Sequence, residues 1–291
     1  MAETKSLTRA QVVSNLEATT NKVQNEISEF CEKGTLNLPA DYSVGNALRQ
    51  AMLKIQDDDK LLACTQSSLQ KCLIDMAVLG LNPSKQQLYF INYGGQAQIS
   101  VSYFGKIAIA KRIDPTIKDV FARCVKVGDD FEFDDDLEGN TIVTKHKRTL
   151  ASLKSKDIEA AYACIVYNDG KPAKSLVMDF DRIKQSWKQS KLNPVNDDGT
   201  LKVGTTHEKF TEEMAQRTVI NAILKPIINS SSDADLFGST VQSVDLNEQA
   251  AQSNAEAKEK MCSSEVVDVD FDEVHEDVVE EKVEPDEDFM A

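Results

Sequence analysis

The spacing of apolar positions divides this chain into helical and strand-like stretches. Val12, Leu16, Val23 and Ile27 recur at helical intervals in a polar opening, which predicts a weakly packed helical arm over residues 1–35 with a mobile start. Val44, Ala47, Leu48, Ala51 and Met52 share one helical face behind Ser43, a residue suited to capping, so a helix is expected over 41–54. Asp57, Asp58 and Asp59 interrupt it. The run from Lys60 to Leu79 is the longest apolar helical stretch, stopped by Gly80 and Pro83. It is expected to form one central core helix.

Beyond Pro83 the period becomes two. Leu88, Phe90 and Asn92 alternate with Tyr89 and Ile91, and Gln96 to Val101 returns after Gly94-Gly95, which predicts a tight hairpin. A helix over 103–112 follows, then a strand over 117–127. Phe131 to Phe133 and Thr141 to Thr144 read as a second hairpin around an acidic loop. Residues 160–168 and 175–180 read as a third, turning at Asn168-Asp169-Gly170. Helices near 181–191 and 207–227 close the pattern, with a polar loop between them. Helices and antiparallel hairpins are partly segregated, so the expected class is α+β with a single core domain over 36–238. The apolar pattern fades after Asn229, and residues 239–291 are expected to form an acidic, largely disordered tail.

Charge changes how the body is read. The net charge is −15, of which residues 265–291, with 13 acids and one Lys, carry −12. Only −3 is left for everything before residue 265, so the low pI does not exclude a polyanion-binding body. The six Cys show no paired spacing of the kind that zinc or redox motifs use, and most lie in apolar runs, so buried free thiols are expected. The polar opening does not read as a secretory signal, and no apolar run is long enough to cross a bilayer.

Enzymatic motifs are weak. A phosphate-cradling loop needs G-x-x-x-x-G-K-[ST], and around Gly105-Lys106 it fails at both ends, with Ser100 at the first Gly position and Ile107 after the Lys. The three His at 146, 207 and 275 form no cluster. His207-Glu208 is followed by Thr211 where a zinc protease needs its second His, so a structural role at a helix start is the better reading. Asp129, Asp130, Glu132 and Asp134 to Asp136 could suggest a metal-dependent nuclease. They fall in one local hairpin, and a solvated loop fits them better. No catalytic residue and no metal site is assigned.

Binding residues are better supported. Tyr103, Lys106, Lys111 and Arg112 lie on or beside one helix, and Gly105 at its start suits close backbone approach to a phosphate. Lys184, Lys188 and Lys191 share one helix face beside Trp187, the only Trp, with Arg182 nearby. Lys209, Glu213, Arg217, Asn221 and Lys225 recur every four residues as a polar stripe opposite Ala215, Val219, Ala222 and Ile223. Lys145, Lys147 and Arg148, with Lys154 and Lys156, add a mobile cationic segment. For each set the ordinary alternative is a solvated surface, with the aromatics in the core. Aromatic faces next to cations suit single-stranded nucleic acid, where bases stack and phosphates are neutralised.

The order of these features resembles the RecT family of phage and prophage single-strand annealing proteins, over roughly residues 40–228. The likeness rests on Gly80-Leu81-Asn82-Pro83, on Tyr103-Phe104-Gly105-Lys106, on Lys111-Arg112, and on Phe210 to Thr218. The chain departs from the family pattern at Phe104, where an Arg or similar polar residue is usual. It departs again at His207 and Phe210, where a Trp-led aromatic is common.

The resemblance implies ATP-independent binding and annealing of single-stranded DNA in phage recombination, inside the bacterial host. It implies no covalent catalytic site and no required cofactor, and it leaves magnesium modulation open. Implied partners are single-stranded DNA, the nascent duplex, and further copies of the chain in a ring or helical filament. It also makes Arg217 a backbone-phosphate contact, with Glu213 orienting either Arg217 or a neighbouring cation, and makes a hairpin arm with Lys145 a secondary contact. The tail has three open readings: competing with DNA for the cations, docking a phage exonuclease or the host single-strand binding protein, or simply solubilising the chain. A passive single-strand coat without annealing activity is the alternative function.

Overall fold

A computed structural model describes residues 8–190 and 193–230. The expectations for Lys191 and for the 239–291 tail lie outside the described residues. Helix α1 (Arg9–Glu32) starts at Thr8, whose hydroxyl and backbone share a capping box with Gln11. Ser43 caps α2 (Val44–Gln56) as its spacing predicts. Rather than forming a loose arm, α1 buries Leu16, Val23 and Ile27 in the same core as α2. Gln66 Nε2 also donates to Thr19 Oγ1 at 2.7 Å.

The expected central helix is broken in two. A short α3 (Asp59–Leu62) ends before Cys64, and α4 (Gln66–Val78) restarts at Thr65. The reason is local. The Thr65 hydroxyl accepts the Ser68 N–H at 3.4 Å, and the Thr65 N–H is taken by the Gly95 carbonyl at 3.0 Å. That second bond pins the start of α4 to the turn of the hairpin formed by β1 (Leu88–Tyr93) and β2 (Gln96–Val101). Ser68 Oγ then accepts the Ala97 N–H at 2.9 Å, fastening the outer edge of β2 to α4.

Helix α5 (Tyr103–Ile113) follows β2 directly. The second sheet holds β3 (Ile117–Lys126), β4 (Asp130–Asp135), β5 (Thr141–Lys147), β6 (Ile158–Tyr167) and β7 (Lys174–Asp179). Its strand order is β3-β6-β7-β5-β4, with every pairing antiparallel. A short α6 (Leu150–Lys154), absent from the sequence reading, replaces the expected mobile cationic segment between β5 and β6. The helices α7 (Phe180–Lys188), α8 (Thr206–Lys209) and α9 (Thr211–Asn229) complete the body. The class is α+β, as the periodicity predicts. Among the described residues no helix is long and apolar enough to cross a membrane.

Helix α9 packs on β3, β6 and β7 through Ala215, Val219, Ile223 and Leu224. Alternation along β6 sends Ala161, Ala163 and Ile165 toward this core and Tyr162 and Cys164 to the other face. The β4–β5 hairpin joins the sheet at the edge of β7, where Thr141 pairs with Ser175. Its base is tied more firmly. The buried Asp129 carboxylate takes the Lys126 N–H (2.8 Å), the Ser152 hydroxyl (2.5 Å) and His146 Nε2 (3.2 Å), and His146 Nδ1 meets the Tyr162 hydroxyl at 2.9 Å. Burial pushes the Asp129 carboxyl up, but these hydrogen bonds hold it below the usual carboxylate range. The outer strand β4 exposes Asp130, Glu132, Asp134 and Asp135.

The cysteines fit the expectation in part. Cys64, Cys72, Cys124 and Cys164 are buried free thiols, and burial pushes Cys72 and Cys124 up to about 12, whereas Cys31 is exposed.

Arg112 turns out to be a structural latch. Its guanidinium donates to the Leu79 carbonyl at 2.6 Å and the Gly80 carbonyl at 2.5 Å, satisfying the end of α4. Gly80 has φ +59°, and a Cβ there would sit 2.7 Å from Arg112 Nη1. The substitution Arg112→Met keeps the aliphatic stem but orphans both carbonyls. It is expected to cost about 2–3 kcal/mol in urea unfolding, with the free energy unchanged if the latch is unimportant.

Candidate nucleic-acid interface

Ser102 sets the geometry at the head of α5. Its hydroxyl donates to the Gln86 carbonyl at 2.6 Å and accepts the Gly105 N–H at 3.2 Å. A Cβ on Gly105 would lie 2.2 Å from the Gln87 carbonyl oxygen and 2.8 Å from Val101 Cγ1. The glycine is therefore required by the close approach of α5 to the chain entering β1. Its N–H is already committed to Ser102, so the expected phosphate contact by Gly105 is corrected to a packing role.

This junction sets the next two side chains. Tyr103 is half-buried, and Phe104 stays 44% exposed with its ring centroid 4.0 Å from that of Tyr103. Phe104 thus faces solvent. Tyr89, 50% exposed on β1, and Arg217 on α9 both lie within electrostatic reach of Tyr103. Burial first, and Tyr89 second, push the Tyr103 hydroxyl above its usual range against the opposing pull of Arg217, so it stays a neutral donor.

Arg217 is exposed, and among the described residues it makes no ion pair, with Glu213 or any other acid. Its charge reaches His207 of α8. The His207 ring packs edge-on to Trp187 at 4.8 Å. Trp187, 3% exposed, donates Nε1–H to Thr218 Oγ1 at 2.8 Å, and Thr218 donates in turn to the Met214 carbonyl at 2.8 Å. Thr218 therefore serves to orient the tryptophan. Phe180 packs edge-on against Trp187 at 5.8 Å, with Lys184 Nζ 5.3 Å above the Phe180 ring. Lys184 is also paired with Asp181 at 2.8 Å. Trp187 at the end of α7 is thereby joined to α8 through His207 and to α9 through Thr218, while the Arg217 charge reaches both His207 and Tyr103 at the head of α5.

The remaining candidates divide. Lys188 is exposed at the end of α7, and its field reaches Asp198 in the following loop. Lys225 is exposed two turns along α9 from Arg217. Lys209 is exposed but belongs to α8, because Phe210 breaks the helix with φ −129°, ψ 52°, so the expected continuous stripe begins only at Glu213. Lys106 is half-buried one turn into α5.

Lys111 faces Asp119 at 3.8 Å, and Arg112 is latched to α4, roughly 14 Å along α5 from Tyr103 by the helical rise. Lys145 is held between Asp130 (2.7 Å) and Glu132 (2.9 Å). Lys147 and Arg148 are exposed, and Arg148 borders Tyr162, on the sheet face turned away from α9. The candidate cations are thus distributed over several surfaces, with Arg217 within reach of the exposed aromatics.

The acidic hairpin has local partners throughout. Asp129 is buried in its own cluster, and Asp136 takes the N–H groups of Glu138 and Asn140 at 2.9 and 2.7 Å. Among the described residues no group of His, Cys, Asp or Glu is arranged to hold a metal ion.

Tyr89 and His207 belong to this surface, and the sequence reading assigns neither a binding role. The signal for Tyr89 is its outward phase in β1. For His207 the signal is its place where the family pattern has an aromatic, whereas its neighbours Trp187 and Arg217 are ten or more residues away along the chain.

The RecT family model matches residues 45–261, about three quarters of the chain, and the chain belongs to that family of single-strand annealing proteins of DNA recombination. No curated protein matches it.

The only Trp makes this junction observable. Burial first and Arg217 second lower the His207 pKa below the ordinary 6.5, so the ring is neutral at pH 7. A protonated imidazole quenches an adjacent indole. Trp187 fluorescence is expected to drop with a midpoint below pH 6.5, and His207→Gln to abolish that step. The unfolded chain holds this proton more tightly, so the stability involved is present above about pH 6.5 and declines as pH falls through the folded value.

Proposed function

We propose that this protein binds single-stranded DNA and anneals it to a complementary strand without nucleotide hydrolysis. The observation that carries the reading is Arg217, a cation without an ion pair among the described residues, set beside Tyr103, with Tyr89 and Phe104 exposed close by. A phosphate on Arg217 leaves adjacent bases free to lie on these rings, and such stacking contributes about 1–3 kcal/mol per base. Base pairing supplies the driving force. The protein's part is to lower phosphate repulsion and hold bases open for sampling. Lys188, Lys209 and Lys225 extend the contact beyond the centre, whereas Arg112 and Lys145 are committed elsewhere. Neither the chemistry nor the partners of this reading call for a cofactor.

A single body this size covers few nucleotides, so useful annealing requires many copies in a ring or helical filament. The acidic tail serves either to compete for the cations or to dock a recombination partner such as an exonuclease or a single-strand binding protein.

Annealing of complementary labelled oligonucleotides tests the reading. Acceleration over the spontaneous rate separates it from a passive coat, which protects strands without pairing them. Arg217→Ala is expected to weaken oligothymidylate binding about tenfold or more and to reduce the salt slope by about 0.7. Phe104→Ala is expected to lose about 1–3 kcal/mol with the salt slope intact. Equal slopes for wild type and Arg217→Ala would remove Arg217 from the interface.

A further inference from the structure

The edge of β2 that faces α4 is left unfinished. The Ala97 N–H goes to Ser68 Oγ, and the Ser102 N–H goes to the Gln87 carbonyl. Alternation along the strand therefore turns the Ile99 N–H and carbonyl away from β1, and among the described residues neither has a partner. Beyond Ser68 a cleft of about 380 Å³ opens between α4 and β2, with Lys71, Cys72 and Asp75 on one wall and Gln98 and Ile99 on the other. Two acceptors in it are unmatched. Gln98 Oε1 is buried with no hydrogen-bond partner. The half-buried Asp75 carboxylate makes no hydrogen bond or ion pair among the described residues. Buried polar atoms are rarely left in this state, so the cleft calls for an occupant that brings donors.

The outer strand β3 of the large sheet is guarded by its own side chains. The Asp119 carboxylate takes the Val120 N–H at 2.9 Å, and Arg123 Nη1 covers the Ala122 carbonyl at 2.9 Å. Such devices keep foreign strands away, and β2 has none at Ile99. Because α4 stands against this edge at Ser68, a single extended segment fits the cleft where a second folded sheet does not. Its main chain can pair with Ile99 as an added strand. Its side chains must offer a cation to Asp75 and an anion to Lys71, which lie about 6 Å apart along one turn of α4. Residues 1–7 precede the described structure and carry Glu3 and Lys5. Two residues apart in an extended chain is about 7 Å, so the two pairs match in spacing and in sign. The stretch 265–274 also alternates, through Val267, Val269 and Phe271, but it has no cation to offer Asp75.

We propose that this cleft receives residues 1–7 of a neighbouring copy as an added strand, with Lys5 set against Asp75 and Glu3 against Lys71. One copy gives the segment and the next receives it, so the contact repeats head to tail. The choice of a neighbouring copy over the same chain rests on the annealing reading, which calls for many copies. The match between segment and cleft does not.

The test uses full-length chains in a Cys31→Ser, Cys262→Ser background, without DNA. Lys5→Cys combined with Asp75→Cys is treated with a short bismaleimide linker. A ladder of cross-linked oligomers is expected, well above that from Lys5→Cys with Lys118→Cys, an exposed position that reports random collision. In sedimentation velocity at low salt, Lys5→Glu and Asp75→Lys are each expected to weaken self-association about threefold, and the double reversal to restore it. The inference is overturned if the cross-links stay within single chains, if they do not exceed the collision control, or if the double reversal associates no better than the single ones. It is also overturned if Val269→Cys with Asp75→Cys cross-links more strongly than the Lys5 pair, which would give the cleft to the acidic stretch. Annealing assays on the same proteins separate the two readings. Annealing without the cross-link removes this contact alone, and the cross-link without annealing removes the proposed function alone.

Discussion

The approach of α5 to the chain entering β1 governs the rest of the interface. Gly105 leaves no room for even a methyl group against the Gln87 carbonyl, and Ser102 clamps the same turn from the other side. This contact fixes where α5 begins. The first two residues of the helix are therefore Tyr103, which packs half-buried against the core within the field of Arg217 on α9, and Phe104, which stays exposed. Backbone packing, with no ligand-binding chemistry of its own, determines which aromatics a nucleic acid can meet.

The cations show a division of labour that net charge conceals. Arg112 closes the end of α4, Lys145 is held between two acids, and the buried Lys126 Nζ joins Glu212 at 2.6 Å and the Leu153 carbonyl at 3.2 Å. These side chains hold elements together. Arg217, Lys188 and Lys225 stay exposed, and exposed cations contribute little to folding. Removing them is therefore a test of function largely free of stability effects.

Much of the fold is legible in the order of residues. The Ser43 cap, the Gly94-Gly95 hairpin and the alternating strands follow from local chemistry, which short windows capture. The break at Cys64-Thr65 is not legible, because it depends on the Gly95 carbonyl about thirty residues away. Lys111-Arg112 reads as a matched cationic pair, yet only one of the two is a latch, and its partners are carbonyls whose positions no spacing reveals. The same holds for the candidate site. Tyr103 and Arg217 follow from pattern and resemblance, but the His207–Trp187–Thr218 chain joins three helices and exists only once they have packed.

The outer strand of the large sheet has a consequence for crowding. A polymer that gathers many copies raises their local concentration steeply, and bare sheet edges are then liable to zip together. β4 exposes four carboxylates along that edge. Lys145 offsets only part of that charge, so two such edges meeting would set net like charges against one another, and neighbours can stand close along a strand without their sheets fusing into a continuous ribbon.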